Sequence, residues 1–190
     1  MTERKARADA ARNREAVLAA ADELFASGGG PRAVSMEQVA AAAGVGKGTL
    51  FRRFGDRNGL IRAVFGARSE AVRAAVESGP PPLGPGAPGR ERVPAILDAL
   101  LAFKLDNRHL SLALEETGAG SPYEVEHYGW WHGVVRDALA DTAVPDAGFA
   151  AHALLAAVRA DLVEHLASAE GMPGRAMRER LAAYVAKVVG

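Results

Sequence analysis

Cysteine is absent from the sequence, and the residues that favour β-strands are sparse. Without cysteine there are no disulfide bonds and no thiol chemistry, so the redox compartment stays open. Runs of valine, isoleucine, threonine and tyrosine are few, and no Asn-Gly turn separates alternating segments, so we predict an all-α chain. No apolar stretch reaches the roughly 18 residues of a membrane span, and the basic N-terminus lacks the apolar core of a secretory signal. We therefore expect a cytoplasmic protein with no membrane contact.

Net charge is also absent, since 23 basic side chains balance 23 acidic ones. A zero total argues against a nucleic-acid-binding protein, but the charges are unevenly distributed. Residues 1–62 contain 11 basic and 7 acidic side chains, a net of +4, whereas residues 63–190 contain 12 and 16, a net of −4. This asymmetry fits a cationic N-terminal part that meets phosphate groups and a C-terminal part that does not.

The N-terminal part is predicted to begin with a loose basic arm over residues 1–12. Four helices follow, at about residues 14–27, 35–44, 46–54 and 57–78. Ser35 and Gln38 form a Ser-x-x-Gln capping box at the start of the second helix. Gly44 is expected to end that helix in the left-handed conformation. Asp56 is placed to cap the fourth helix.

A stretch rich in proline and glycine, residues 79–89, is predicted to be a loop. We place it inside the second domain, because the helix before it is apolar enough to need a packing partner. Further helices are predicted at about residues 92–107, 110–117, 121–141, 146–169 and 174–189. The chain would then have about nine helices in two domains, a three-helix N-terminal domain of residues 1–56 and a C-terminal helical bundle of residues 57–190.

The stretch SMEQVAAAAGVGKGTLFRRF, residues 35–54, has the spacing of a helix-turn-helix. The side chains spaced to meet between its two short helices are Val39, Ala40, Val45, Leu50 and Phe54. With Leu50 and Phe54 facing inward, the rest of the second helix faces outward, where such helices enter the major groove. An alternative is a small helical bundle whose basic face is only solvated.

We predict DNA contacts at Ser35, Lys47, Gly48, Thr49, Phe51, Arg52, Arg53 and Arg57. Lys47 and Thr49 can reach bases or phosphates, and Gly48 removes bulk where the helix approaches base edges. The arginines supply charge to phosphate groups. Ser35 and Arg57 lie at helix N-termini, which can direct free N–H groups at phosphates.

This region resembles the DNA-binding domain of the tetracycline-repressor (TetR) family of bacterial transcriptional regulators. The resemblance covers about residues 12–66. It rests on the Leu24-Phe25 end of the first helix, the turn Val39-Ala40-x-x-Ala43-Gly44-Val45, the segment Gly48-Thr49-Leu50, and Phe54. It implies a homodimer that binds a roughly palindromic operator in double-stranded DNA. It also implies a C-terminal domain for dimerisation and for an unknown small-molecule effector that releases DNA. We expect no cofactor.

Four positions depart from the family pattern. Gly46 stands where a serine usually caps the recognition helix, and Phe51 replaces a tyrosine whose hydroxyl contacts phosphate. Arg53 stands where histidine is frequent, and Arg57 where a lysine usually grips phosphate. These changes bear on the target sequence, not on the mode of binding.

Two adjacent tryptophans mark the second domain. Trp131 shares an apolar stripe with Tyr128 and Val135, so we expect it in the core, whereas Trp130 suits a pocket mouth or an interface. We predict an effector pocket lined by Phe103, Asn107, Leu110, Leu114, Tyr123, His127, Trp130 and Trp131. The alternative is that both tryptophans only pack.

The last two predicted helices are expected to form the homodimer, as a four-helix bundle with their copies in a second subunit. Their apolar residues at helical spacing are Leu155, Val158, Leu162, Leu166, Met177, Leu181, Tyr184 and Val188. An obligate interface of this kind buries roughly 2,000 Å² or more. The alternative is a helix pair within one chain.

No catalytic constellation is found. There is no Gly-x-Ser-x-Gly segment, and Glu115 and Glu116 would point apart on a helix with a solvated edge. The histidines form neither His-x3-His nor His-Glu-x-x-His, so no metal site is predicted, although His132 and His165 could meet in space. We therefore predict a ligand-responsive regulator, most simply a repressor, and not an enzyme. The alternatives are an activator or architectural DNA-binding protein, and an enzyme or ligand carrier in which the motif is incidental.

Overall fold

The computed structural model describes residues 2–27, 30–116 and 126–190. Within these ranges all regular structure is helical, so the all-α prediction is confirmed. The helices are α1 (Thr2–Ala26), α2 (Met36–Ala42), α3 (Lys47–Phe54), α4 (Arg57–Ser78), α5 (Gly89–Asp106), α6 (Arg108–Glu116), α7 (Glu126–Leu139), α8 (Ala147–Ala156), α9 (Ala160–Glu164) and α10 (Gly174–Val189). A 3₁₀ turn covers Pro31–Ala33, and a π-helical turn covers His165–Ala169. Among the described helices, none is both long and apolar enough to cross a membrane.

The chain divides into two compact units, residues 1–68 and residues 69–190. The division falls within α4, so the first half of α4 belongs to the first unit and the second half to the second unit. The predicted domain boundary, after Asp56, is just before the start of α4 and so differs from this division. It stays a prediction.

In the first unit α1 packs against α2, and α2 packs against α3. The core side chains are Val17, Ala21, Phe25, Val34, Met36, Val39, Ala40, Leu50, Leu60, Ile61, Val64 and Phe65. The prediction of a loose arm over residues 1–12 is wrong, because α1 begins at Thr2. The segment is rich in alanine, arginine and lysine, which have high helix propensity even without an apolar face. An ion pair between Arg12 and Asp9, one turn apart, adds to the helix.

In the second unit α5 is the central helix and packs against α7 and α10. α8 packs on α7, and α9 packs on α6. The start of α5 meets the end of α7 closely: a Cβ at Gly89 would lie 1.9 Å from the Ala138 carbonyl oxygen, so only glycine fits. The Gly89 N–H donates to the Asp141 carboxylate at 3.1 Å. Residues 79–88 form the predicted loop before α5.

The single helix predicted over residues 146–169 is interrupted. Asp146 caps its start, accepting the Phe149 N–H at 2.9 Å. α8 then ends at Ala156, and α9 begins at Ala160. The new helix start is capped by Glu115, whose carboxylate accepts the N–H groups of Ala160 at 2.8 Å and Asp161 at 3.2 Å. A cap from a distant part of the chain thus supports a break that the local sequence does not mark.

Candidate DNA interface and effector site

The first helix of the motif is fixed at its N-terminus by a reciprocal cap. The Gln38 N–H donates to Ser35 Oγ at 3.2 Å, and the Ser35 N–H donates to Gln38 Oε1 at 2.8 Å. The predicted capping box is therefore confirmed. Ser35 itself is exposed. The box occupies two of the N–H groups at this end, and a phosphate contact at Ser35 stays a prediction.

The turn between α2 and α3 is closed by backbone hydrogen bonds. Gly44 has φ of 65°, the left-handed conformation that glycine adopts without strain. The Val45 N–H donates to the Ala40 carbonyl at 3.0 Å, and the Gly44 N–H donates to the Ala41 carbonyl at 3.2 Å. This pair of bonds is the Schellman motif. It turns the chain sharply, so that α3 starts at Lys47 with Gly46 as its N-cap.

The recognition helix α3 is held by one buried side chain and leaves most of its surface open. Leu50 is 1% exposed, and it fixes the helix against the core of the first unit. Phe54 and Thr49 are half-buried, whereas the other predicted contact residues of α3 are exposed: Lys47, Gly48, Phe51, Arg52 and Arg53. A Cβ at Gly48 would meet nothing within 4 Å, so the surface at this glycine is accessible and carries no side chain.

Lys47 has intramolecular partners on this surface. Its ammonium pairs with Glu37 on α2 and lies 5.7 Å from the centre of the Phe51 ring. The hydrogen bond from Lys47 is the main reason why the pKa of Glu37 is lowered. Both side chains of the pair are more than half exposed, so the pair is weak and easily exchanged for a phosphate.

A tight turn joins α3 to α4. Gly55 has φ of 75° and ψ of −74°, and the Asp56 N–H donates to the Phe54 carbonyl at 3.0 Å, which is a γ-turn. Asp56 then caps α4 as predicted, because its Oδ1 accepts the Gly59 N–H at 2.7 Å. A Cβ at Gly59 would lie 1.9 Å from the Phe54 carbonyl oxygen. The close approach sets the direction in which α4 leaves the motif.

Two of the predicted phosphate-binding arginines already have partners within the first unit. Arg57 is half-buried and donates to the Pro31 carbonyl, while its Nε is buried and finds no acceptor among the described residues. Arg53 donates to the Ala10 carbonyl of α1. Arg52 is exposed. The structure thus gives Arg57 and Arg53 a packing function, and their contacts with phosphate stay predictions.

Residues 17–64 match the family model of bacterial regulatory proteins of the tetR family. These residues are similar to the helix-turn-helix domain of that family. The predicted resemblance is confirmed, and the matched range runs from α1 to the first half of α4, which contains every residue of the DNA interface predicted above.

Solved structures extend the likeness to the TetR fold over nearly the whole chain. A transcriptional regulator from Rhodococcus sp. Rha1 is 19% identical over 92% of this chain and 95% of its own, with a TM-score of 0.70. A tetR-family regulatory protein from Rhodococcus RHA1 is 19% identical over 94% and 97%, with a TM-score of 0.63. NalD from Pseudomonas aeruginosa is 18% identical over 95% and 97%, with a TM-score of 0.60. At these identities the likeness shows the fold. No curated protein matches the sequence.

In the TetR-like C-terminal unit the two tryptophans differ as predicted. Trp131 is 4% exposed and belongs to the core, whereas Trp130 is half-buried against that core. The two rings meet edge to face with centres 4.6 Å apart. The Arg73 guanidinium lies 4.3 Å from the centre of the Trp130 ring. Trp130 is therefore covered by a cation on one side, a contact that the sequence did not indicate.

Of the other predicted pocket residues, Phe103 lies on α5, Leu110 and Leu114 on α6 and His127 on α7, with Asn107 between α5 and α6. Leu110 is buried, while Phe103, Asn107, Leu114 and His127 are half-buried, and Tyr123 lies outside the described residues. The His127 ring contacts Trp131 edge to face, with centres 6.4 Å apart. Burial, followed by the positive charges of Lys104 and Arg73, lowers the pKa of His127 to about 4. His127 is thus neutral at neutral pH.

The expectation of a solvated edge at Glu115 is wrong. Its side chain is 19% exposed, and besides capping α9 it accepts a hydrogen bond from Lys104 Nζ at 3.2 Å. Arg159 lies 3.4 Å from the same carboxylate and also pairs with Asp161 at 2.8 Å. Burial lowers the pKa of Lys104, although Glu115 opposes that effect. This cluster joins α5, α6 and α9, and no spacing rule in the sequence could have assembled it.

The pair of histidines considered for a zinc site does not form. His132 stacks on His152 with ring centres 3.9 Å apart, and His152 Nδ1 lies 2.6 Å from the Tyr128 hydroxyl. His165 instead lies 3.5 Å from Glu170. Across the part of the chain that the structure describes, no group of three or more His, Cys, Asp or Glu side chains is arranged to hold a metal ion.

Proposed function

We propose that the protein is a non-enzymatic, ligand-responsive transcriptional regulator, most simply a repressor. In this proposal it binds a palindromic operator as a homodimer, with one α3 helix per subunit in the major groove. The observation that carries the proposal is the surface of α3, where Lys47, Gly48 and Arg52 are exposed beside a helix core held by Leu50. A protein that binds operator DNA works where the chromosome is, so the proposal includes a cytoplasmic location.

The geometry of α3 supports base contacts near its N-terminus and phosphate contacts near its C-terminus. Thr49 and the open backbone at Gly48 lie in the first turn, where the recognition helices of such motifs meet base edges. The basic residues Arg52 and Arg53 lie in the last turn. Lys47 would exchange Glu37 for a DNA phosphate or base. This exchange makes binding sensitive to salt, because each phosphate contact releases a counterion.

The dimer proposal needs a revised surface. Leu155, Val158, Met177 and Leu181, which were predicted at the interface, belong to the core of the second unit instead. Met177 and Leu181 are buried because α10 packs on α5, and Leu155 is on α8, which packs on α7 within the same unit. Large apolar side chains of the last helices remain exposed on the surface: Phe149 at 72%, Leu162 at 39% and Tyr184 at 44%. These three are the residues that we propose for the contact with a second copy.

Repression is proposed from the relatives of the same fold. NalD is described as the secondary repressor of the MexAB-OprM multidrug efflux pump. A γ-butyrolactone receptor also shares the fold, at 21% identity and a TM-score of 0.53. A repressor that an effector releases from DNA is the simplest function consistent with such relatives.

Selection of genomic DNA fragments by the purified protein tests the proposal. The retained fragments are sequenced and their affinities measured over a range of salt concentrations. We expect a short palindrome to be retained at least about 10³-fold more tightly than bulk DNA. Equal, weak retention of all fragments that vanishes as salt rises would contradict site-specific regulation and leave only charge attraction.

Variants of α3 refine the test. Arg52→Ala should weaken binding to all sequences and reduce the salt slope by about one unit. Thr49→Val should change the relative affinities of operator variants, and unchanged relative affinities would remove its proposed base contact. Lys187→Ala, an exposed lysine in the last turn of α10, is the matched control and should leave DNA binding unchanged.

Sedimentation velocity tests the dimer separately. The wild-type protein should sediment as a dimer at micromolar concentration, and Phe149→Glu with Tyr184→Glu should convert it to a folded monomer. A wild-type monomer under these conditions would refute the dimer, whatever its affinity for DNA.

A further inference from the structure

The N-terminal part of α1 has no described side chain in the core. The side chains that the structure describes in this helix start at Asp9, and the first buried one among them is Val17. Residues 11–16 are all exposed, and the range that matches the family model also starts at residue 17. We call residues 2–16 the α1 extension. It is helical, and its described part adds no buried side chain to the first unit.

The α1 extension carries most of the net positive charge of the N-terminal region. Residues 1–14 contain five basic and two acidic side chains, a net of +3, whereas residues 15–62 contain six and five, a net of +1. Arg12 forms an ion pair with Asp9, but both side chains are largely exposed, so the pair is weak. A concentration of positive charge on one short surface helix favours an anionic partner.

A hydrogen bond places the α1 extension beside the end of the recognition helix. Arg53, in the last turn of α3, donates to the Ala10 carbonyl of α1. In an α-helix the carbonyl of residue 10 faces the N–H of residue 14, so Arg53 meets α1 next to Arg14. Arg14 is exposed. The basic last turn of α3 and the basic part of α1 therefore lie at the same edge of the first unit.

This edge is where the proposed complex brings the protein to the DNA backbone. With α3 in the major groove, its last turn is the part proposed above for phosphate contacts. From Ala10 back to Thr2 the helix continues for eight residues, which is about 12 Å at 1.5 Å per residue. Phosphates of one strand follow each other about every 3.4 Å along the DNA axis. The α1 extension is thus long enough to span about three phosphates.

We propose that the α1 extension binds the phosphate backbone of DNA beside the bases that α3 contacts. Basic side chains along the helix make these contacts, not the free N–H groups at its start. Such contacts carry no sequence information, so they raise the affinity for any DNA and lengthen the stretch that each subunit covers. This inference rests on the proposed function, since it adds a contact with the same DNA.

Variants that remove positive charge test the inference through the salt dependence of DNA binding. The test variant replaces four basic residues of the extension by glutamine, which has a high helix propensity: Arg4→Gln, Lys5→Gln, Arg7→Gln and Arg14→Gln. The control variant removes the same charge from exposed residues of the second unit: Arg90→Gln, Arg175→Gln, Arg180→Gln and Lys187→Gln. A fluorescent duplex of arbitrary sequence, about 30 base pairs long, is titrated with each full-length protein at about 50 to 200 mM salt.

The slope of log affinity against log salt concentration counts the phosphate contacts, at about 0.9 for each contact. The slope of the test variant should be smaller than that of the wild type by about two units, and the control variant should change far less. A fall in the test variant that exceeds the fall in the control by less than about one unit would overturn the inference. The loss would then come from net charge and not from contacts.

A cross-linking measurement locates the DNA without removing any charge. The chain has no cysteine, so one introduced cysteine can carry a benzophenone cross-linker at a chosen position. Ala11→Cys is an exposed site on α1, three residues before Arg14, and Ala183→Cys is an exposed control site on α10. Irradiation with the same duplex should attach DNA at residue 11 far more than at residue 183. Equal yields at the two sites would refute the contact, even where the charge variant fails to fold.

Selection of genomic fragments separates this inference from the proposed function. A protein that selects a palindrome, but whose test variant keeps its salt slope, is a regulator without the α1 contact. A protein that selects no sequence, but whose test variant loses slope and whose residue 11 attaches to DNA, has the α1 contact without site-specific regulation.

Discussion

The buried histidine of α7 predicts how stability depends on pH. Burial and the positive charges of Lys104 and Arg73 lower the pKa of His127 from 6.5 to about 4. Between these two pH values the unfolded chain binds a proton at this position and the folded chain does not. The free energy of unfolding therefore falls as pH decreases from about 6.5 to about 4, and this group adds no slope above or below that window.

The size of the effect follows from the shift. One pKa unit corresponds to about 1.4 kcal/mol, so a shift of about 2.5 units corresponds to about 3 kcal/mol lost between neutral pH and pH 4. His127→Gln keeps a polar side chain but cannot titrate. The variant should lose about 3 kcal/mol less than the wild type over this range, although the two proteins can differ by a constant amount at pH 7.

Urea denaturation at pH 7, 6, 5 and 4 measures the difference. Both tryptophans of the chain, Trp130 and Trp131, lie in the second unit, so their fluorescence reports the unfolding of the unit that contains His127. Circular dichroism follows both units together. His109→Gln removes an exposed histidine of α6 and is the control. Parallel pH profiles for the wild type and His127→Gln, or equal flattening in His109→Gln, would refute the argument from burial.

Three further substitutions test the packing. Leu50→Ala should destabilise the first unit by about 2–5 kcal/mol, because Leu50 is fully buried. Phe51→Ala, at an exposed position of the same helix, should cost far less. Urea denaturation followed by circular dichroism compares the two variants. Arg57→Met should destabilise that unit by about 1–3 kcal/mol through the lost bond to the Pro31 carbonyl, and unchanged stability with weaker DNA binding would favour a phosphate contact alone. Glu115→Gln should cost at least about 1 kcal/mol as a weakened cap of α9, and Lys104→Met in the same chain should restore part of the loss in a double-mutant cycle.

The helix-turn-helix could be predicted from the sequence because its determinants are local. The capping box of Ser35 and Gln38 and the left-handed Gly44 act within a few residues, and the structure shows both. The burial of Leu50 follows from the apolar spacing alone. Arg57 shows where such reasoning stops. Its charge suggested a phosphate contact, but its bond to the Pro31 carbonyl depends on how the chain folds back over 26 residues.

The interruption between α8 and α9 shows the same limit more sharply. Residues 146–169 are rich in alanine and leucine, and their local propensity favours one continuous helix. The break at residues 157–159 leaves N–H groups at the start of α9 that need acceptors. Glu115, 45 residues before Ala160, supplies them, and its own charge is balanced by Lys104 and Arg159. A helix boundary that depends on a carboxylate from another helix cannot be found in the segment itself. It could be predicted only by first knowing that α6 packs against α9.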